Sequence, residues 1–344
     1  ILLFMDLSFN ITMQPFRALV TDMLDGSQKT EGFVIQTFLI NLGAVIGALL
    51  PLIMTWCGVS DAAVEGGVSR HIAYSYYIGG GILLLTVLVT AFKVKEYPPA
   101  EFAMYNGSGE TAVEEKEPGF FTLMKNIPST MLQLGVTQFF SWAALFLMWN
   151  YLKPLITSSF IDAAETMVNT GAAETWTGVL NAVYPVPACI ASIFMTQIAN
   201  RFGNKPVYAA CLLSGALGYL GLTLIDNQYL MMIPMVFIGI AWAGILAMPY
   251  SILSRAIDAR SSGAYMGIFN FTITIPQIVM GLVGGSIVLA VKNAILSGSD
   301  YAALSAVEKV TVDSQAATWM IGIAALFMLL AAVSVFFVKE KNSK

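Results

Sequence analysis

The chain has 344 residues, 57% of them hydrophobic and only 11% charged, with a formal net charge of −4 and a mean hydropathy of +0.74. A soluble domain carries about 25% charged residues, and a globule of this length needs a polar skin that this composition cannot supply, so lipid has to solvate much of the surface. There is no basic run to hold a phosphate backbone, which excludes nucleic acid as a partner, and a single histidine, His71, leaves nothing for a Ser-His-Asp triad or a His-based metal site.

A membrane-spanning helix needs roughly 20 apolar residues. With that ruler about nine spans are expected, near residues 1–22, 33–56, 72–93, 129–151, 177–199, 206–225, 229–253, 266–291 and 316–338. Ile1 opens the sequence inside an apolar stretch with no signal-peptide pattern, so the chain reads as lacking its N-terminus. Between the third and fourth spans, residues 93–128 carry Pro98, Pro99, Asn106, Gly107, Ser108, Gly109 and the run Glu114 to Glu117, the composition of a flexible polar linker. The expected organisation is therefore a partial three-helix bundle (1–92), a cytoplasmic linker (93–128) and a six-helix bundle (129–344). Asn106 with Ser108 matches a glycosylation acceptor, but a cytoplasmic loop never meets that machinery.

Orientation follows from basic residues in the loops. One set of connections holds Lys29, the stretch 93–128, Arg201 to Lys205, Arg255 to Arg260 and the tail from Lys339, with about 12 Lys and Arg. The other set holds Arg70, Lys153, Lys292 and Lys309. That asymmetry places the first set and the C-terminus in the cytoplasm. Cys57, Cys189 and Cys211 have no paired spacing and read as small buried hydrophobes. Gly43 with Gly47, Gly79 to Gly81, and Gly281, Gly284 and Gly285 read as surfaces for close helix approach. A P-loop is missing, so no nucleotide or other cofactor is expected and the energy source is an ion gradient.

An ionisable group inside a membrane costs several kcal/mol, about 3 on insertion scales, and marks function by default. On the first span Asp6, Asn10 and Arg17 fall on one face at 100° per residue, with Asp6 and Arg17 roughly 16 Å apart along the axis. They cannot pair within one straight helix. Each needs a substrate hydroxyl, water or a facing side chain, unless Arg17 snorkels to the headgroups. Asp22 and Asp25 read as solvated or hinge contacts. On the eighth span Asn270, Thr274 and Gln277 share a face beside Pro276, offering donors and acceptors together, as a sugar does. Trp142, Trp242, Tyr184 and Tyr250 are placed to stack on a sugar ring, whereas Trp149, Trp176 and Trp319, near helix ends, suit an interfacial belt. A weak internal echo pairs Pro15-Phe16 with Pro249-Tyr250, and Asn41 with Asn270, as in two parallel repeats.

The run Met5 to Asp22, containing Asp6, Asn10, Gln14-Pro15, Arg17-Ala18-Leu19 and Asp22, resembles the fourth-helix signature of the plant sucrose transporters and their animal and bacterial relatives. Gly267 to Gln277 is similar to that family's eleventh helix, Ala241 to Ser254 to its tenth, and Arg201 to Lys205 to the basic loop after its eighth. The chain is thereby identified with the glycoside-pentoside-hexuronide:cation type of the major facilitator superfamily. The resemblance implies an all-α membrane protein with family helices 4–12, sugar:proton symport, Asp6 as the proton-coupling carboxylate and Arg17 as a substrate-linked cation. Substrate contacts are expected from Asn10, Arg17, Asn41, Trp142, Trp242, Tyr250, Asn270 and Gln277. Two departures stand out: Gln14 replaces the family's Gly, and Phe146 to Lys153 lacks the acidic residues at the end of the seventh helix. The implied protein is a monomer in the plasma (bacterial inner) membrane, carrying a sucrose- or maltose-like disaccharide with a proton. A sodium-coupled glycoside carrier and a carrier of a non-sugar solute remain alternatives.

Overall fold

The structure is a computed structural model that describes residues 2–24, 28–60, 70–95, 101, 120–162, 164, 166–257 and 262–339; the side chains of residues 2–11, 14, 120 and 121 are outside that description. Most of the expected linker, the tail after Lys339, and the side chains of Asp6 and Asn10 thus lie outside the described residues. All described secondary structure is helical apart from an isolated bridge between Ile161 and Val168. The helices are α1 (Leu2–Met23), α2 (Lys29–Trp56), α3 (Arg70–Lys93), the short α4 (Phe120–Lys125), α5 (Ser129–Thr157), α6 (Thr170–Val183), α7 (Pro185–Phe202), α8 (Asn204–Leu224), α9 (Met232–Ser254), α10 (Ser262–Phe269), α11 (Phe271–Leu296) and α12 (Ala306–Val335).

Counting α6 with α7 and α10 with α11, eight described segments are long and apolar enough to cross a bilayer. The last begins at Ala306, ten residues before the expected start. Glu308, Lys309 and Asp313 dilute the hydropathy of its first turns, yet Ser305 and Glu308 close a reciprocal capping box that starts the helix there. The α6–α7 break at Tyr184 follows from Pro185 and Pro187, neither of which has an N–H for the helical ladder.

The chain divides into two compact units, residues 1–39 with 118–344, and residues 40–117. In the first, α12 packs along α5 and α8, and α9 packs along α8, around a core containing Leu134, Leu145, Met148, Tyr208, Tyr219, Met320 and Met328. In the second, α3 presents Tyr76, Tyr77, Leu84, Leu85 and Phe92 outward, side chains whose natural solvent is lipid.

Of the expected glycines, Gly281 and Gly284 face α5, where an added Cβ would lie 3.8 Å from Phe146 and 3.7 Å from the Tyr151 hydroxyl. A side chain added at Gly43, Gly47 or Gly79 to Gly81 would meet nothing among the described residues. The tight crossing is between α8 and α9, where a Cβ at Gly215 would lie 2.6 Å from Ala241 and one at Gly218 would lie 2.8 Å from the Pro234 carbonyl. Gly239 brings α9 against the Tyr184–Pro187 break, and Gly244 admits Cys211. Cys211 is buried as expected, but Cys57 is exposed.

Outside the spans, the Asp162 carboxylate accepts from the Met167 amide (2.8 Å), the Thr166 amide (2.6 Å) and the Thr166 hydroxyl (2.7 Å). These bonds, the Met167 amide foremost, hold its pKa below the usual carboxylate value. The turn's share of stability is therefore complete above the ordinary carboxylate pKa and is lost as pH falls through the depressed one.

Gly239→Ala should cost about 1–3 kcal/mol by overpacking against Tyr184 and Pro187. Gly322→Ala on α12, where nothing lies within 4 Å, should be neutral or stabilising by up to about 1 kcal/mol. Thermal unfolding of the purified variants in detergent separates the two.

Candidate functional site

Arg17 on α1 is the one charged side chain among the described residues that is fully buried, at 3% exposure. Its guanidinium carbon sits 3.9 Å from the centroid of the Tyr250 ring on α9. Nη2 reaches the Met13 sulfur at 3.8 Å, while Nε and Nη1 have no hydrogen-bond partner among the described residues. A desolvated cation–π contact is worth about 2 kcal/mol. That offsets part of the burial cost but satisfies no N–H, so two donors are left facing whatever enters.

Tyr250 is itself held by rings, with Phe33 of α2 at 5.9 Å and Phe269 of α10 at 5.4 Å, the latter edge-on. Its hydroxyl is buried and has no partner among the described residues. The Phe269 contact brings the α10–α11 junction, with half-buried Asn270, next to the Arg17 site. Gln277 lies two turns further along α11 and is half-buried.

A second cluster joins α5 and α9. Trp142 lies 5.7 Å from Trp242 and 6.4 Å from Trp149, and Trp149 lies 6.1 Å from Trp242, all edge-to-face. Tyr184 completes it, 6.0 Å from Trp242. Edge-to-face pairs add about 0.5–1.5 kcal/mol each beyond burial, so the rings form a preset aromatic wall. Trp149, expected in an interfacial belt, shares a face of α5 with Trp142 at i+7 and packs edge-on to it and to Trp242, while 38% of it stays exposed. Trp176 donates to the Gln228 carbonyl, and Trp319 is exposed, as a belt residue would be.

The structure thus brings together Arg17 with Tyr250, and Trp142 with Trp242. Asn41 is buried but belongs to the second unit, residues 40–117. Asp6 and Asn10 lie on the α1 backbone, their side chains outside the description. Asp22 accepts a hydrogen bond from the Ser262 hydroxyl, joining the end of α1 to the start of α10, in keeping with a hinge contact.

A polar clasp that the spacing did not reveal adjoins Arg17. Thr30 on α2 is 2.6 Å from the Ser251 hydroxyl on α9. Asn204, at the start of α8, donates to both Thr30 (3.3 Å) and Ser251 (3.1 Å), and Arg255 donates to Thr30 (2.8 Å). With two N–H donors already on the Thr30 oxygen, its own proton goes to Ser251. Lys29 adds a bond to the Ser254 carbonyl at 3.2 Å. The one available signal was the crowding of Ser251 and Ser254 beside Pro249-Tyr250.

Eight described segments long and apolar enough to span a bilayer define a polytopic membrane protein. The Major Facilitator Superfamily profile matches residues 134–344, more than half the sequence, and the chain belongs to that superfamily. It is accordingly a secondary transporter and not an enzyme. The E. coli fucose:proton symporter is similar in structure, with 15% identity, a TM-score of 0.60, and 95% of this chain and 73% of that one covered. The proton:xylose symporter bound to 6-bromo-6-deoxy-D-glucose is similar at 14% identity and TM-score 0.61, covering 94% and 67%. A bacterial homologue of the human lysosomal transporter Spinster, inward-facing, has 16% identity and TM-score 0.52, covering 94% and 73%. At these identities the likeness is one of fold. No curated protein sequence matches the chain.

Thr30→Val and Asn204→Ala should each destabilise the protein by about 1–3 kcal/mol, because each strands buried partners. The double variant should lose less than the sum, with a coupling of at least about 0.5 kcal/mol. A thermal double-mutant cycle measures it; strict additivity would mean the clasp is not a unit.

Proposed function

We propose that the chain is a proton-coupled symporter of a disaccharide, sucrose- or maltose-like, working by alternating access as a monomer in the plasma (bacterial inner) membrane. The observation that carries this reading is Arg17, buried, parked over Tyr250 and with two nitrogens lacking acceptors among the described residues. A sugar hydroxyl supplies the missing acceptor, and the wall of Trp142, Trp242 and Trp149 offers ring faces for the apolar side of the same sugar. The fold neighbours that carry fucose or xylose with a proton make this coupling natural for the architecture.

In this reading Asp6 takes the coupling proton. A desolvated carboxyl has a raised affinity for a proton, and its charge state then biases which face of the carrier is open. Asn10, Asn270 and Gln277 join Arg17 and Tyr250 in binding solute. The two repeats are residues 1–92 and 129–344, joined by the linker 93–128. The clasp of Thr30, Asn204, Ser251 and Arg255 gathers three of the loops rich in Lys and Arg, so it closes the cytoplasmic end and leaves the pathway open to the outside. The alternative is a sodium-coupled glycoside carrier or a carrier of a non-sugar solute.

Uptake of labelled maltose and sucrose by the full-length carrier should collapse on adding a proton ionophore and be indifferent to replacing sodium with choline. Asp6→Asn should abolish accumulation against a gradient while retaining sugar exchange. Ionophore-resistant uptake, or accumulation undiminished in Asp6→Asn, would sink the coupling assignment. Arg17→Met should lower uptake at least about a hundredfold, equivalent to about 2.7 kcal/mol. Its thermal stability should be unchanged or higher, because an apolar side chain replaces an uncompensated buried charge.

A further inference from the structure

Gln138, on α5, has no place in the reading so far, yet it is fully buried. Its Oε1 accepts from the Tyr208 hydroxyl of α8 at 3.2 Å, and the single Ser141 proton is shared between Oε1 at 3.4 Å and the Gln138 backbone carbonyl at 3.2 Å. With both donors on the oxygen, the amide cannot turn without losing them, and Nε2 is held on the opposite side. That nitrogen is buried and has no hydrogen-bond partner among the described residues. One turn along α5, the Trp142 Nε1 is also buried and unpartnered, and residues at i and i+4 are neighbours on a helix surface. The Tyr250 hydroxyl on α9 is in the same condition.

Buried donors are paired in more than about nine cases in ten, and an unpaired one carries its full desolvation penalty. A site needing only packing is filled by an apolar side chain of the same size. Here three unpartnered polar groups stand on α5 and α9, two helices that pack together, and one of them is the ring on which Arg17 rests. Two hydroxyls are spent on fixing the direction of a single amide. Such expense is intelligible where the amide must meet a ligand in one orientation.

We propose that Gln138 is a solute-binding residue of the carrier, its Nε2 held by Tyr208 and Ser141 so as to donate, together with Trp142 Nε1, to oxygens of the sugar. Tyr208 is then a positioning residue and touches no solute. Because Oε1 already accepts two hydrogen bonds, Gln138 reads only acceptor oxygens on the solute. This assignment rests on the sugar-carrier reading and adds to it a residue that neither patterning nor resemblance picked out.

The test measures binding of maltose and of sucrose to the full-length carrier in lipid nanodiscs by tryptophan fluorescence, with thermal unfolding of the same samples. In Gln138→Leu the Kd should rise at least tenfold in a protein that still folds, its unfolding temperature lowered only by what the unpaired Tyr208 hydroxyl costs. In Tyr208→Phe the Kd should rise several-fold, since the amide is freed to turn, with the modest fall in unfolding temperature of one lost hydrogen bond and the protein still folded. Gln138→Met serves as a second near-isosteric variant. Wild-type affinity in Gln138→Leu overturns the assignment alone, as does a loss of folding in both Gln138 variants, which would make the residue structural. A wild-type carrier that binds neither sugar overturns the sugar reading itself, and this assignment with it.

Discussion

The organising constraint in this molecule is a positive charge, Arg17, enclosed among apolar helices with no carboxylate paired to it among the described residues. Removing a guanidinium from water is costly unless each of its donors finds an acceptor. The Tyr250 ring meets the charge electrostatically but accepts none of the side-directed N–H groups of Arg17. Phe33 and Phe269 brace that ring from two other helices. The packing of α1, α2, α9 and α10 therefore converges on one buried cation, two of whose nitrogens have no acceptor among the described residues.

The clasp beside it is built on different terms. Thr30, Ser251 and Asn204 are uncharged, and each hydrogen bond among them is a modest net contribution, about 1 kcal/mol. Such a cluster can hold one arrangement firmly through cooperation and still be exchanged for hydration when helices part. A desolvated ion pair at the same place would bind its two sides far more stubbornly. Arg255 reaches Thr30 from the edge, so charge enters the clasp without being sealed inside it. The aromatic wall is rigid by comparison, since three indoles locked edge-to-face have few other rotamers open to them.

Glycine shows how local pattern and packing diverge. Gly43 and Gly47 have the spacing of a helix-contact motif, yet meet nothing among the described residues, while Gly215, Gly218, Gly239 and Gly244 allow helices to approach within backbone contact. Spacing says only that a smooth face exists. Whether a partner covers it depends on which helices adjoin. The same holds for Trp149, whose nearness to a helix end gave no sign of its contact with Trp242 from α9.

Lipid as solvent, the helical class and nearly all the spans were legible in the sequence, because hydrophobic length and a 3.6-residue period are local properties. Arg17, Tyr250, Trp142 and Trp242 could be singled out by the same logic, since a charge or a deep indole in an apolar run is conspicuous where it stands. Their partners were not legible. Thr30 meets Ser251 across 221 residues and Tyr208 meets Gln138 across 70, and no periodicity encodes which two helix faces will adjoin. Only the packed bundle decided that Arg17 rests on Tyr250, that a hydroxyl clasp shuts beside it, and that an inconspicuous glutamine is turned to offer its nitrogen.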